Sequence, residues 1–117
     1  MDVRHENRIK IIQNLFAYSF PRLKKNLPYP NEKNTKEIII SFPLINRQIK
    51  KFASRFPIKN MAKIDLAILQ LAIYELIIAA KEPKKVIINE AVDLAKQMGG
   101  EKSYAFINGV LGKIVNG

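Results

Sequence analysis

Apolar residues recur at helical spacing along most of this chain, and proline or glycine interrupts them at intervals. From Val3 to Phe20 the positions Ile9, Ile12, Phe16 and Phe20 are three or four residues apart, with Asp2 placed to cap the first turn and Pro21 to end the helix. A second stripe, Ile45, Ile49, Phe52 and Phe56, runs between Pro43, which suits a first helical turn, and Pro57. From about Ala62 to Ala80 the pattern changes. Ile64, Ala67, Ile68, Leu71, Ala72, Leu76 and Ile77 leave only a thin polar strip, so this helix belongs at the buried centre of the fold. Pro83 stops it. Ile87, Ala91, Leu94 and Met98 then define an amphipathic helix whose other face carries Glu90, Asp93, Lys96 and Gln97, with Gly99 and Gly100 as its C-cap. A last helix opens at about Glu101. Residues 21–37, rich in Lys, Asn and Pro, read as a loop, and Ile38 to Ile40 fit either a strand or a helix. With no repeat and no strand alternation, the expected architecture is all-α, four or five helices in bundles.

The length of 117 residues fits one domain, and 48% hydrophobic residues suffice for a core. The chain lacks cysteine, which excludes disulfides, thiolate metal sites and a Cys nucleophile. The N-terminus has no apolar signal region, and the longest apolar run is interrupted by Asp65, Gln70 and Glu75, so a soluble cytoplasmic protein is expected.

Charge divides the chain. Of a net +10, nearly all lies in residues 1–60, with 13 Lys/Arg against 4 Asp/Glu; residues 61–117 carry 7 against 6. A basic N-terminal part (1–60) beside a nearly neutral helical core (61–117) points to a polyanionic partner, nucleic acid before an anionic membrane. Lys24 and Lys25 in the loop, and Arg47, Lys51 and Arg55 on one face of the second stripe, are candidate basic surface.

Little supports catalysis. His5 stands alone near a terminus where fraying is expected, and Gly99-Gly100 lacks the lysine and the preceding strand of a phosphate-binding loop. Asp65, Glu75, Glu90 and Asp93 read as solvated, capping or ion-paired carboxylates. No enzyme activity, metal site or cofactor is expected.

The last helix is more informative. At 100° per residue, Ile107, Val110, Leu111 and Ile114 point one way, while Lys102, Phe106, Gly109 and Lys113 fall within about 60° of one another on a neighbouring face. An aromatic ring among cations suits unpaired RNA, with the ring stacking on a base and the ammonium groups meeting phosphates. The same spacing also suits a ring packed at the core edge beneath lysine stems. On the first helix Arg4 and Arg8, four residues apart, form a pair able to clamp consecutive phosphates, or two ordinary surface residues.

Taken in order, KIDLAILQLAIYEL, VIINEAVDLAKQMGGE and SYAFINGVLGKI resemble the C-terminal signature of the NusB antitermination factors, over roughly Met61 to Val115; Arg4, Arg8 and Gln13 to Phe16 resemble the family's arginine-rich first helix. The resemblance implies an all-helical fold of two small packed bundles forming one compact domain, with a shortened N-terminal half. It implies binding to boxA-type single-stranded RNA of rRNA leader transcripts, jointly with the ribosomal small-subunit protein NusE, in an antitermination complex on RNA polymerase. By the same resemblance Arg4, Arg8, Lys102, Ser103, Phe106 and Lys113 would face RNA, and Phe16 and Glu75 would lie towards NusE. Asn89, Glu90 and Asn108 match patterned family positions and read as structural hydrogen-bonding groups. Two other readings keep the helices and change what they are for. One is the RNA-binding module of an rRNA cytosine methyltransferase, and the other is a helical adaptor or homodimer that never meets RNA.

Overall fold

A computed structural model describes residues 2–117, and every regular element among them is helical. Helix α1 spans Val3–Tyr18, and Asp2 caps it as expected, its Oδ1 accepting from the Arg4 N–H at 2.9 Å. The buried face is rotated from the anticipated stripe. Ile11, Ile12 and Leu15 enter the core, whereas Phe16 is 37% exposed and packs edge-on against Phe20. The cause is Asn14, which is fully buried. Its side-chain amide accepts from the Tyr29 N–H at 2.8 Å and donates to the Tyr29 carbonyl and to Thr35 Oγ1, each at 2.9 Å. One side chain thereby fastens the 21–34 loop to α1 and satisfies backbone groups that no helix ladder serves.

The link to the second stripe holds a helix of its own. In α2, Thr35–Ile40, Glu32 acts as the cap: its Oε1 accepts from the backbone N–H groups of Asn34 and Thr35 and from the Thr35 hydroxyl. The three isoleucines are therefore helical, with Ile38 in the core and Ile40 in solvent. Helix α3, Phe42–Phe52, buries Ile45 and Ile49 and ends four residues before Phe56. A single 3₁₀ turn at Ile58–Asn60 leads into α4.

Helix α4, Lys63–Ile73, is the centre anticipated from its composition: seven consecutive residues, Ala67 to Ile73, are buried, and α1, α3, α5 and α6 all pack on it. The segment then widens into a π-helical turn, Tyr74–Ala79, closed by Ala80 at φ 48°, the one non-glycine residue with positive φ among those described. Ile77, placed on the core side by periodicity, is exposed because the π turn breaks the 100° register. Helix α5, Lys84–Met98, and helix α6, Ser103–Asn116, complete one continuous core. Gly99 caps α5 in extended rather than left-handed backbone; glycine is required because a Cβ there would lie 2.6 Å from the Ser103 side chain.

Candidate nucleic-acid interface

Two regions gather the charged and aromatic residues singled out above. The first lies between α1, the π turn and the start of α5, and Arg8 is its hub. The side chain of Arg8 is nearly buried, and three carboxylates surround it: Glu75 receives Nε and Nη2 at 2.9 to 3.2 Å, Glu90 receives Nη1 at 3.1 Å, and Glu82 also bonds Nη2. Burial works against the guanidinium charge, but Glu75 first, then Glu82 and Glu90, outweigh it and raise the Arg8 pKa above its ordinary value. Arg8 therefore presents no free fork to a phosphate, and the paired clamp with Arg4 does not form. Arg4 remains exposed, with one 3.3 Å contact to Glu82.

His5 belongs to the same network rather than to a frayed end. Its Nδ1 meets Glu90 Oε1 and its Nε2 meets Gln97 Oε1, both at 3.1 Å. Two acceptors for two ring nitrogens favour the imidazolium, so hydrogen bonds to Glu90 and then Gln97 raise the His5 pKa. Tyr74 lies beneath this region; burial, then the neighbouring Glu37 carboxylate, pushes its phenol up to about 12. A groove of about 820 Å³ runs along it, with Arg4, Asn7, Tyr74 and Glu82 in its walls. Glu75 is committed to Arg8, two helical turns along α1 from Phe16, so these two residues do not form one patch.

The second region is the flank of α6. Ile107, Val110 and Leu111 are buried as the wheel requires, and Lys102 and Lys113 are exposed. Phe106 is half-buried on the boundary, where it meets Phe56 at a ring-centroid distance of 5.2 Å and an interplanar angle of 76°. Ser103 does not join them: it is buried, and its Oγ accepts from the Gly100 N–H at 2.9 Å, fixing the turn between α5 and α6. Among the described residues Arg4 and Arg8 alone of the 20 Lys and Arg make ion pairs. Lys24, Lys25, Arg47, Lys51 and Arg55 are free of carboxylates and lie at the surface; Lys24 lies over the Tyr18 ring and Lys51 over Phe52.

Three features have no clear signal in the sequence. Phe56 pairs with Phe106 across 50 residues, a contact with no local signature. Asn89 and Asn108 are exposed and make no hydrogen bond among the described residues, so they are not the structural groups expected. Asp65, in the first turn of α4 where the helix dipole favours a carboxylate, keeps Oδ1 buried without a partner.

Comparison with known proteins adds to this geometry. The NusB family profile matches residues 31–116. A transcription antitermination protein NusB of Dehalococcoides mccartyi is 35% identical over 113 residues, covering 97% of this chain and 78% of that protein. NusB proteins of Clostridium botulinum and Acetivibrio thermocellus are 45% and 51% identical, over 72% and 61% of this chain; these alignments span only about half of each relative, 55% and 49%. The solved structure of T. maritima NusB superimposes with a TM-score of 0.81 at 28% identity, covering 98% of this chain and 92% of that one.

Proposed function

Because the chain belongs to the NusB family, we propose that it acts in transcription antitermination by binding boxA-type single-stranded RNA together with NusE, within the RNA polymerase antitermination complex. The observation that carries the RNA part is the α6 flank, where Lys102, Phe106 and Lys113 share one face and neither lysine is neutralised by a carboxylate. Unpaired bases stack on the accessible part of an aromatic ring, here the half-buried Phe106, and free ammonium groups meet the phosphates. Arg4 extends the basic surface from α1, and Arg8 serves it indirectly by fixing α1 against the π turn and α5. Lys24, Lys25, Arg47, Lys51 and Arg55 add attraction that is indifferent to sequence. The NusE side is assigned to Phe16, whose exposed ring rests on Phe20, with Glu75 acting through its clasp on Arg8. This activity is binding, without a catalytic step.

The test is a pull-down with purified NusE, with and without a boxA-like RNA, at two salt concentrations. A ternary complex that weakens as salt rises supports the proposal; binding of neither partner removes it. Within that assay Phe106→Leu should weaken RNA binding by about 1 to 3 kcal/mol while leaving the salt dependence nearly intact, the signature of lost stacking. Arg4→Ala should instead lower the slope of log K against log salt by about 0.7, the value for one phosphate contact on a single strand.

A further inference from the structure

Phe56 is an exposed aromatic residue. It belongs to the apolar stripe of α3 by spacing, but the helix ends at Phe52 and the chain turns at Ala53, which carries Phe56 outwards until it is 55% exposed. There it meets Phe106 edge to face. Among the three aromatic pairs described, this is the one in which neither ring lies beneath a lysine: Lys63 covers Phe20 in the pair with Phe16, and Lys24 covers Tyr18 in the pair with Phe42. The cations around it are uncommitted. Arg55 and Lys59 flank Phe56 in the chain, Lys102 lies one turn before Phe106 and Lys113 two turns after, and no carboxylate pairs with any of them.

Gly109 adds a second observation on the same flank. It lies inside α6 with ordinary helical φ, and a Cβ built on it would meet nothing within 4 Å. Glycine inside a helix costs about 1 kcal/mol relative to alanine, and neither packing nor backbone conformation calls for it here. A bare backbone in open space, one turn from an uncovered aromatic pair, leaves room for a ligand to approach closely.

We propose that Phe56 and Phe106 together form a base-stacking platform for single-stranded RNA, from which the strand continues over Gly109 between Lys102 and Lys113. Rings inclined at 76° cannot both lie parallel to one base, so the platform takes two consecutive bases splayed apart, a conformation open to a single strand and closed to a duplex. This inference rests on the RNA-binding reading above and extends it to a loop between α3 and α4 and to a helix backbone position.

The experiment uses the full chain and a 12-nucleotide single-stranded RNA with 2-aminopurine at successive positions, whose fluorescence is quenched when it stacks. Phe56→Leu, which keeps an apolar side chain and removes the aromatic face, should weaken binding about tenfold and abolish the quench at one position, while Phe56→Tyr retains both. Gly109→Ala should raise the denaturation midpoint and weaken RNA binding. Gly112→Ala, turned 100° from Lys113 and partly buried but likewise with no atom within 4 Å of an added Cβ, should raise the midpoint and leave binding unchanged. Unchanged binding and quench in Phe56→Leu, with Phe106→Leu still impaired, overturns the platform and spares the RNA reading. Unchanged affinity in Gly109→Ala removes the path over α6. If Phe56→Leu impairs NusE binding alone, the pair belongs to a protein contact and the proposal fails. If the wild-type chain binds no RNA at low salt, both readings fail together.

Discussion

The groove beside α1 and the flank of α6 carry similar residue types in opposite states. Arg8 and its immediate neighbours have partners: one guanidinium holds three carboxylates, His5 spans Glu90 and Gln97, and Arg4, though exposed, reaches Glu82. Along α6 and the loop before α4, Lys102, Lys113, Arg55 and Lys59 have none. An ion that is buried and paired has already given up its hydration and gained protein contacts, so it has little to offer a polyanion. Exposed and unpaired cations keep that capacity, and binding is driven by the counterions they displace from the phosphates. The difference separates two uses of positive charge. Arg8 ties α1 to the π turn and α5, and the α6 flank is the proposed contact with RNA.

The largest expected effect breaks the first region. Arg8→Met leaves Glu75, Glu82 and Glu90 facing one another without their common cation, and chemical denaturation should show a loss of about 3 kcal/mol. Lys102→Met and Lys113→Met, by contrast, should each change stability by less than about 0.5 kcal/mol. Equal stability changes on both sides would erase the distinction. A smaller effect sharpens it through pH. His5 has its folded pKa raised above 6.5 by Glu90 and then Gln97, so its contribution is fully present below 6.5 and is lost as pH rises through the raised value. Urea midpoints should accordingly fall between pH 6 and pH 8 by more in the wild type than in His5→Gln. The smallest effect concerns the turn that presents Glu75. Ala80 occupies left-handed backbone at φ 48°, where glycine is unstrained, so Ala80→Gly should stabilise the protein by about 0.5 to 1 kcal/mol without altering RNA affinity.

Much of this contrast can be traced to what a sequence displays. The cores of α4, α5 and α6 follow periodicity because their packing is set by residues three and four apart, and the flank bearing Phe106 emerges from the same wheel. The state of Arg8 does not, since its partners lie 67 to 82 residues away and an isolated glutamate on a helix looks the same paired or free. The rotation of α1 depends on Asn14, a polar residue that enters the core because a distant loop supplies its hydrogen bonds. The exposure of Ile77 depends on one extra residue in a turn, which shifts every later side chain. Contacts over long separations decide the first two of these cases and a local change of helix type the third, and binary patterning carries no record of either.

The most direct test of the division is the salt dependence of RNA binding, measured for the wild type and for the Lys102→Met, Lys113→Met double variant with a boxA-like single strand. Removing two phosphate contacts should lower the magnitude of the slope of log K against log salt by about 1.4 while the denaturation midpoint stays in place. An unchanged slope in a folded double variant would contradict the assignment of the α6 flank as the surface that meets RNA.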